Sequence, residues 1–426
     1  MKRVGNLYEK IYDMDNLKLA VKHAIRGKRK RHSVQTFMAN QEALLVKLQQ
    51  SLIQGTYRPR PYGIKNIVDC SSGKQRQICI PKFYPDQILQ WAVMQVIQPV
   101  LQKSMYYYSC ASIRGKGCIL GIRKVKKILE RDYKNSKYCL VMDVRKYYPS
   151  IDQDLLMQKF RTKFKDEKLL QLLGLIVHST PSGLPIGNYT SQWFANFYLT
   201  DMDHYIKETL KAKYYIRYMD DMVIIGSNKR KLHRIRESVQ QYAIKNRLAI
   251  KDNWQVFRIG NYPGDGRGID FLGFVFYKTC VTLRARVFVR SVRRLRKICN
   301  KKYISVADSG AVFSYLARYN ISSSDKLYNS CVQDNISVQR CKDVYRKYMR
   351  GLHREEREMC SVHVSATIRQ YVGMIRYQGG IIPYPDVGVI TQCDVGTTPR
   401  RGVDVITRYD VGVTPRDVGS TPRMVA

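Results

Sequence analysis

The stretch that decides the reading is Tyr214-Tyr215-Ile216-Arg217-Tyr218-Met219-Asp220-Asp221-Met222-Val223-Ile224-Ile225-Gly226. Two β-prone apolar runs flank a pair of aspartates, which predicts two strands joined by a tight acidic turn. Aspartate is common in turns because its side chain bonds nearby backbone, so this pair alone also fits an ordinary polar hairpin. A second run, Cys139-Leu140-Val141-Met142-Asp143-Val144, again ends an apolar strand on a carboxylate, 77 residues before Asp220. Carboxylates buried at strand ends are costly unless a cation pairs with them. Mg²⁺ suits so sparse a donor set, because it binds one or two carboxylates together with substrate phosphates. Two such ions, about 3.5–4 Å apart, would activate an attacking hydroxyl and stabilise a leaving phosphate oxygen.

Outward from these strands the pattern alternates. Trp193, Phe194, Phe197 and Tyr198 fall on one helical face within residues 190–210. Strand, helix and paired strands without a Rossmann glycine pattern predict a βαββ core. Residues 63–83 read as a hairpin turning at Gly73, entered by the extended run Tyr57-Arg58-Pro59-Arg60-Pro61-Tyr62. The first 55 residues are helical in pattern, with Leu44, Leu45, Leu48 and Leu52 on one face. The run from Arg26 to Arg31 that interrupts them fits either a solvated loop or contact with a phosphate backbone. Residues 284–302 hold nine lysines and arginines and no acid, and open a basic helical segment to about residue 380. Beyond residue 381, Asp-Val-Gly-x-Thr-Pro-Arg recurs from Asp394, Asp410 and Asp417. Repeats so poor in large apolar side chains cannot build a core, which predicts a disordered tail.

The whole chain has 426 residues, 44% of them hydrophobic, enough for more than one folded unit. Its 74 basic residues against 34 acidic ones leave a net charge of +40, which points to a polyanionic partner. The eleven cysteines show no C-x-x-C spacing and the seven histidines no metal-binding cluster, which argues against transition-metal chemistry. No apolar run reaches the ~18 residues of a membrane span, so a soluble, cytoplasmic protein with no membrane partner is expected.

Four ordered motifs carry a family resemblance. Tyr218-Met219-Asp220-Asp221 resembles the Y-x-D-D motif of reverse transcriptases, and Val141-Met142-Asp143-Val144-Arg145-Lys146-Tyr147-Tyr148 resembles their first palm motif. The run Gly183-Leu184-Pro185-Ile186-Gly187-Asn188-Tyr189-Thr190-Ser191-Gln192 resembles the second palm motif, and Phe271-Leu272-Gly273-Phe274 the primer-grip hairpin. The resemblance covers about residues 56–285. It implies an α+β right-hand polymerase with fingers, a ferredoxin-like (RRM-like) palm sheet and a helical thumb. The corresponding divisions are 1–55 as a basic helical extension, 56–138 fingers, 139–282 palm, 283–380 thumb and 381–426 tail.

The resemblance also implies roles. Asp143 and Asp220 would hold two Mg²⁺ ions with the Val144 carbonyl, and Asp221 would support them. Tyr148 would exclude a 2′-hydroxyl, and Lys74 and Arg76 would pair with the incoming deoxynucleoside triphosphate. Ile186, Gly187 and Gln192 would line the nucleotide site, Lys251 would protonate the departing pyrophosphate, and Phe271, Leu272 and Gly273 would grip the primer. Template RNA and the RNA–DNA duplex would be the polyanions, with the 284–302 segment along the duplex.

The second palm motif narrows the type. Most relatives carry Gln-Gly followed by Ser-Pro there, whereas this chain has Ile186-Gly187 and Ser191-Gln192, the form seen in reverse transcriptases of diversity-generating retroelements. An aliphatic side chain lacks the hydrogen bonds and steric check of a glutamine, so base selection should loosen. The resemblance then implies error-prone copying of a template-repeat RNA, chiefly at adenines, for mutagenic retrohoming, with a small basic multimeric accessory protein as partner. The alternatives are an antiviral-defence or group II intron-related reverse transcriptase, or a catalytically silent RNA-binding protein.

Overall fold

The computed structural model describes residues 2–68, 73, 75–113, 115–322 and 338–351. Helices α1 (Tyr8–Tyr12), α2 (Met14–Ala24), α3 (His32–Ala39) and α4 (Gln41–Ile53) lead into strands β1 (Gly63–Val68) and β2 (Gln75–Ile80). β1 and β2 pair antiparallel, with Gly63 opposite Ile80 and Val68 opposite Gln75, around the turn expected at Gly73. Two long helices follow, α5 (Ile88–Ser104) and α6 (Gly117–Arg131). Asp13 caps α2 by accepting from the Asp15 and Asn16 amides, the usual way to satisfy a helix's first N–H groups. The amino-terminal helices pack onto α5. Ile11, Leu17, Val21 and Leu48 are buried in the same core as Val93 and Ile97 of α5, because their apolar stripes face it.

β3 (Tyr138–Asp143) begins the central sheet. Helices α7 (Tyr147–Ser150), α8 (Gln153–Arg161), α9 (Glu167–Val177), α10 (Tyr189–Tyr198) and α11 (Thr200–His204) separate it from the hairpin of β4 (Tyr214–Tyr218) and β5 (Asp221–Gly226). Helix α12 (Lys229–Lys245) then returns the chain to β6 (Gln255–Arg258). The four strands lie in the order β4-β5-β3-β6 with antiparallel neighbours, so the expected βαββ core gains a fourth strand and becomes a β-α-β-β-α-β unit. Both faces of the sheet are covered. Leu140, Met142, Met222 and Ile224 enter the larger core, while Cys139, Val223 and Ile225 enter a second one. Two-sided burial is why these strands read as unbroken apolar runs rather than alternating ones.

A separate sheet, β7 (Ile269–Phe271), β8 (Phe274–Phe276) and β9 (Val281–Leu283), holds the hairpin around Leu272 and Gly273. It leads into α13 (Ala285–Cys299) and α14 (Val306–Ile321), and a further helix spans Val338–Arg350. Ser291, Val292, Leu295 and Ile298 bury one face of α13, while Arg286, Arg293, Arg296 and Lys297 are exposed on the other. Ser305 and Asp308 close a reciprocal capping box at the start of α14. The rest of the predicted helical segment and the repeats beyond residue 381 lie outside the described residues. Among the described residues no helix is long and apolar enough to cross a membrane.

Candidate active site

Strand pairing brings the acids together. Tyr218 faces Asp221 across the β4–β5 hairpin, leaving Met219 and Asp220 as its two turn residues. Met219 has φ 54°, a left-handed conformation that turns of this length usually give to glycine. β5 also pairs with β3, and that register sets Asp221 opposite Asp143. Facing residues of an antiparallel pair project from one side of the sheet, so the two carboxylates are neighbours by construction.

The electrostatics follow from the crowding. Burial first, then the close approach and charge of the Asp143 carboxylate, then the charge of Asp221, push the Asp220 carboxyl up to about 7. Asp221 rises to about 6, through its packed surroundings and then Asp143, with Lys251 and Arg284 opposing and Asp270 adding to the rise. The Asp221 residue as a whole is solvent-exposed, which argues for weaker desolvation there; its closeness to Asp143 is fixed independently by the register. One oxygen of Asp143, Oδ1, is buried with no hydrogen-bond partner. The other, Oδ2, is in contact with the Lys251 ammonium.

Lys251 arrives there through backbone pairing. Ile250 bridges Val144, the Lys251 N–H donates to the Asp143 carbonyl (2.8 Å), and the Arg145 N–H donates to the Ala249 carbonyl (2.8 Å). These bonds fall on either side of Val144 and leave its own carbonyl outside the pairing, while its side chain is buried.

A divalent ion fits this chemistry in part. Among the described residues no three Asp, Glu, His or Cys side chains form a group able to hold a metal by themselves. The crowded Asp143–Asp220 pair with an orphaned buried oxygen is instead a sparse donor set of the kind a hard divalent ion would complete with water and phosphate oxygens.

The second motif docks on both the acid strand and the β1–β2 hairpin. Tyr148 follows β3 closely, and its hydroxyl approaches the Met219 sulfur (3.8 Å). Burial and the Asp220 charge hold its phenol above the ordinary range, opposed by the charge of Arg76 on β2, which places Arg76 within electrostatic reach. The Tyr148 carbonyl accepts from the Leu184 N–H (2.9 Å), and the Ile186 carbonyl accepts from the Cys79 N–H of β2 (2.8 Å). Gly187 sits at φ 132°, and a Cβ there would lie 2.1 Å from the Cys79 carbonyl oxygen, so its role is close backbone approach.

Asp143, Val144, Asp220, Asp221, Lys251, Tyr148 and Arg76 thus gather, and Ile186 and Gly187 meet them through the hairpin edge. Gln192 is exposed on α10 between buried Ser191 and Trp193, and no contact ties it to the acids. The turn at Leu272 and Gly273 (φ 56° and 85°) follows buried Phe271, and neighbouring Asp270, paired with Arg284 (2.6 Å), acts electrostatically on Asp221. Lys74 lies outside the described residues.

Sequence reading missed the group beneath the acid turn. Arg217 is fully buried against Asp203 of α11, with both residues inaccessible to solvent, and also reaches Asn196 of α10. The available signal was a guanidinium at an inward position between Ile216 and Tyr218.

Comparison with known proteins gives a family match and several similar chains. Residues 65–276 match the family model described as reverse transcriptase (RNA-dependent DNA polymerase). The group II intron-encoded protein LtrA of Lactococcus lactis subsp. cremoris is 27% identical over 183 residues, covering 41% of this chain and 30% of that protein. The retron Ec73 reverse transcriptase of Escherichia coli is 32% identical over 114 residues, covering 24% of this chain and 36% of that one. The chain therefore spans about a third of the length of these curated relatives. A solved structure of apo telomerase from Candida tropicalis superposes with a TM-score of 0.44 at 13% identity, over 69% of this chain and 58% of that one.

Proposed function

We propose that this chain, whose residues 65–276 match the reverse transcriptase family model, is an RNA-directed DNA polymerase that extends a primer 3′-hydroxyl with deoxynucleotides. The observation that carries the reading is the pairing of Asp143 with Asp221 one residue from Asp220, with an unpartnered buried oxygen on Asp143. Asp143 and Asp220, with the Val144 carbonyl, would hold Mg²⁺, which supplies activation of the attacking hydroxyl and neutralises charge on the leaving phosphate. Asp221 sustains the negative field beside them. Lys251, in contact with Asp143, would give a proton to departing pyrophosphate. Tyr148, whose hydroxyl approaches the Met219 sulfur, would exclude a 2′-hydroxyl with its ring. Arg76, together with Lys74 of the sequence reading, would pair with the triphosphate. In this reading the β1–β2 hairpin belongs to the fingers, the four-stranded sheet is the palm, Phe271 to Gly273 grip the primer, and the basic face of α13 in the thumb follows the RNA–DNA duplex.

The finer assignment, to error-prone copying in a diversity-generating retroelement with a small basic accessory partner, rests on Ile186 and Gln192. The Ile186 carbonyl is held by Cys79, so its aliphatic side chain belongs to the loop that joins the hairpin to the palm. A group II intron-related enzyme is the second reading, favoured by the similarity to the intron-encoded protein.

The test is extension of a primed RNA template with deoxynucleotides and Mg²⁺, with bound RNA quantified alongside. Wild type should extend and Asp143→Asn should bind RNA without extending it; equal extension by both removes the proposed site. Ile186→Gln should lower misincorporation opposite template adenine, and an unchanged error spectrum removes the finer assignment in favour of the second reading.

A further inference from the structure

The acid turn is supported from below by a buried charged group that the chemistry above does not use. The Arg217 guanidinium makes a two-pronged bond to Asp203, Nε to Oδ1 (2.7 Å) and Nη2 to Oδ2 (2.6 Å). Its Nη1 donates to the Asn196 side-chain oxygen (3.1 Å) and to the Met219 carbonyl (2.9 Å), and its Nη2 to the Asn196 carbonyl (3.3 Å). The partners are themselves fixed. The Tyr215 hydroxyl donates to Asp203 (2.7 Å), and the Asn196 amide nitrogen donates to the Ala111 carbonyl (2.7 Å).

Two physical points make this more than core packing. Buried ion pairs are a poor way to gain stability, since apolar groups of similar volume often serve as well or better, so an arginine here needs another reason. Besides Asp203 and Asn196, it holds the carbonyl of Met219, the turn residue in the strained left-handed conformation directly before Asp220. A carbonyl captured by a rigid fork fixes the peptide that carries it, and here that peptide leads into the nitrogen of Asp220. Because Asn196 belongs to α10, which begins immediately after Gly187 and Asn188, the same guanidinium also sets the second-motif helix relative to the acid turn.

We infer that Arg217 is a positioning residue, aimed by Asp203 and Asn196, that locks the Met219 peptide and thereby places Asp220 for nucleotidyl transfer. The inference rests on the polymerase reading and adds a determinant of its chemical step. Lysine at this position keeps the charge facing Asp203 but has no fork to reach Met219 as well.

The experiment compares wild type, Arg217→Lys and the apolar pair Arg217→Met with Asp203→Leu in the full chain. Three quantities are read: kcat and KM for deoxynucleotide on primed RNA, the thermal midpoint, and the ¹³C-methyl resonance of Met219 in the metal-free protein. Expected for both variants are a fall in kcat of about 10- to 100-fold at nearly unchanged KM, the order of loss seen when a support for a catalytic group slackens. The thermal midpoint should stay near wild type and the Met219 signal should shift or broaden. Wild-type kcat in a folded variant overturns the inference, as does lost activity with an unmoved Met219 signal. If neither variant folds, the arginine serves the core and the positioning role falls. A wild-type chain that extends no primer refutes the polymerase reading instead, which keeps the two failures apart.

Discussion

Replacing Asp220 by asparagine should make the metal-free protein more stable while abolishing polymerisation, and the opposed signs are what identify a functional carboxylate. The Asp220 carboxyl is raised from 3.8 to about 7 by burial and by Asp143. A group whose folded-state pKa is raised favours the fold fully below its unfolded value, and that advantage is lost as pH rises through the folded value. Between pH 3.8 and about 7 the fold therefore loses stability, and above that the penalty is constant. Taken whole, a rise of that size corresponds to about 4 kcal/mol. Water reaches the turn and the burden is shared with Asp143, so about 1–2 kcal/mol is the working figure. At pH 8 without divalent metal, Asp220→Asn should raise the thermal midpoint by about 2–4 °C for a domain of this class. The gain should shrink steadily as the pH is lowered toward 4. Primer extension with Mg²⁺ should fall by at least about 100-fold, the scale of losing one electrostatic support of the transition state. Scanning calorimetry between pH 4 and 8, paired with extension assays, reads both. A destabilised Asp220→Asn protein, or one that still extends RNA, would refute the reasoning, because either result removes the crowded-carboxylate account of this turn.

Mg²⁺ should raise the thermal midpoint more at pH 8 than at pH 6, since protons compete at Asp220 and Asp221, held at about 7 and about 6; at 100-fold excess over Kd the pH 8 gain is about 2.7 kcal/mol, and pH-independent stabilisation would count against binding there. Gly187→Ala brings a Cβ to 2.1 Å from the Cys79 carbonyl oxygen and must displace the Cys79–Ile186 bond; the local cost is about 1–3 kcal/mol, read as a KM for deoxynucleotide about tenfold or more above wild type, and an unchanged KM would detach the hairpin from substrate binding. Tyr148→Ala should raise ribonucleotide use relative to deoxynucleotide by about tenfold or more, the range for removing one steric contact, and a fixed ratio in competition assays would end the gate assignment.

How much of this was legible in the sequence depended on what each signal encodes. The acid strands were legible because burial on both faces writes Leu140 to Met142 and Met222 to Ile225 as unbroken apolar runs. Helix α10 was legible because its aromatic positions share one face, and Trp193, Phe194, Phe197 and Tyr198 are all buried. β6 was not, since Gln255-Val256-Phe257-Arg258 is an edge strand paired only to β3 and keeps polar residues at both ends. The amino-terminal helices showed an apolar stripe, but a stripe says only that a face is covered, and the partner α5 is remote in sequence. In the sequence Arg217 shows only as a cation within an apolar strand. Its true setting needs Asp203 and Asn196, 14 and 21 residues away, brought beneath the strand by α10 and α11.

The same geometry weighs against the chain being only a basic RNA-binding scaffold. With a net charge of +40, phosphate affinity comes from the lysines and arginines, and any carboxylate near the bound backbone subtracts from it. A scaffold would gain nothing by crowding Asp143, Asp220 and Asp221 at adjoining strand ends, where burial disfavours the charge of Asp220 and the neighbouring Asp143 disfavours that of Asp221. It would gain nothing, either, by leaving the Asp143 Oδ1 buried without a donor, a cost that folds usually avoid. Nor would it need Met219 kept in a left-handed conformation by a guanidinium that is itself expensive to bury. These costs gather around one small turn, and cations and phosphates entering between the acids would offset the crowding of their charges. A site that is strained alone and relieved by its substrates and ions is the arrangement nucleotidyl transfer requires, and RNA retention by itself supplies no such relief.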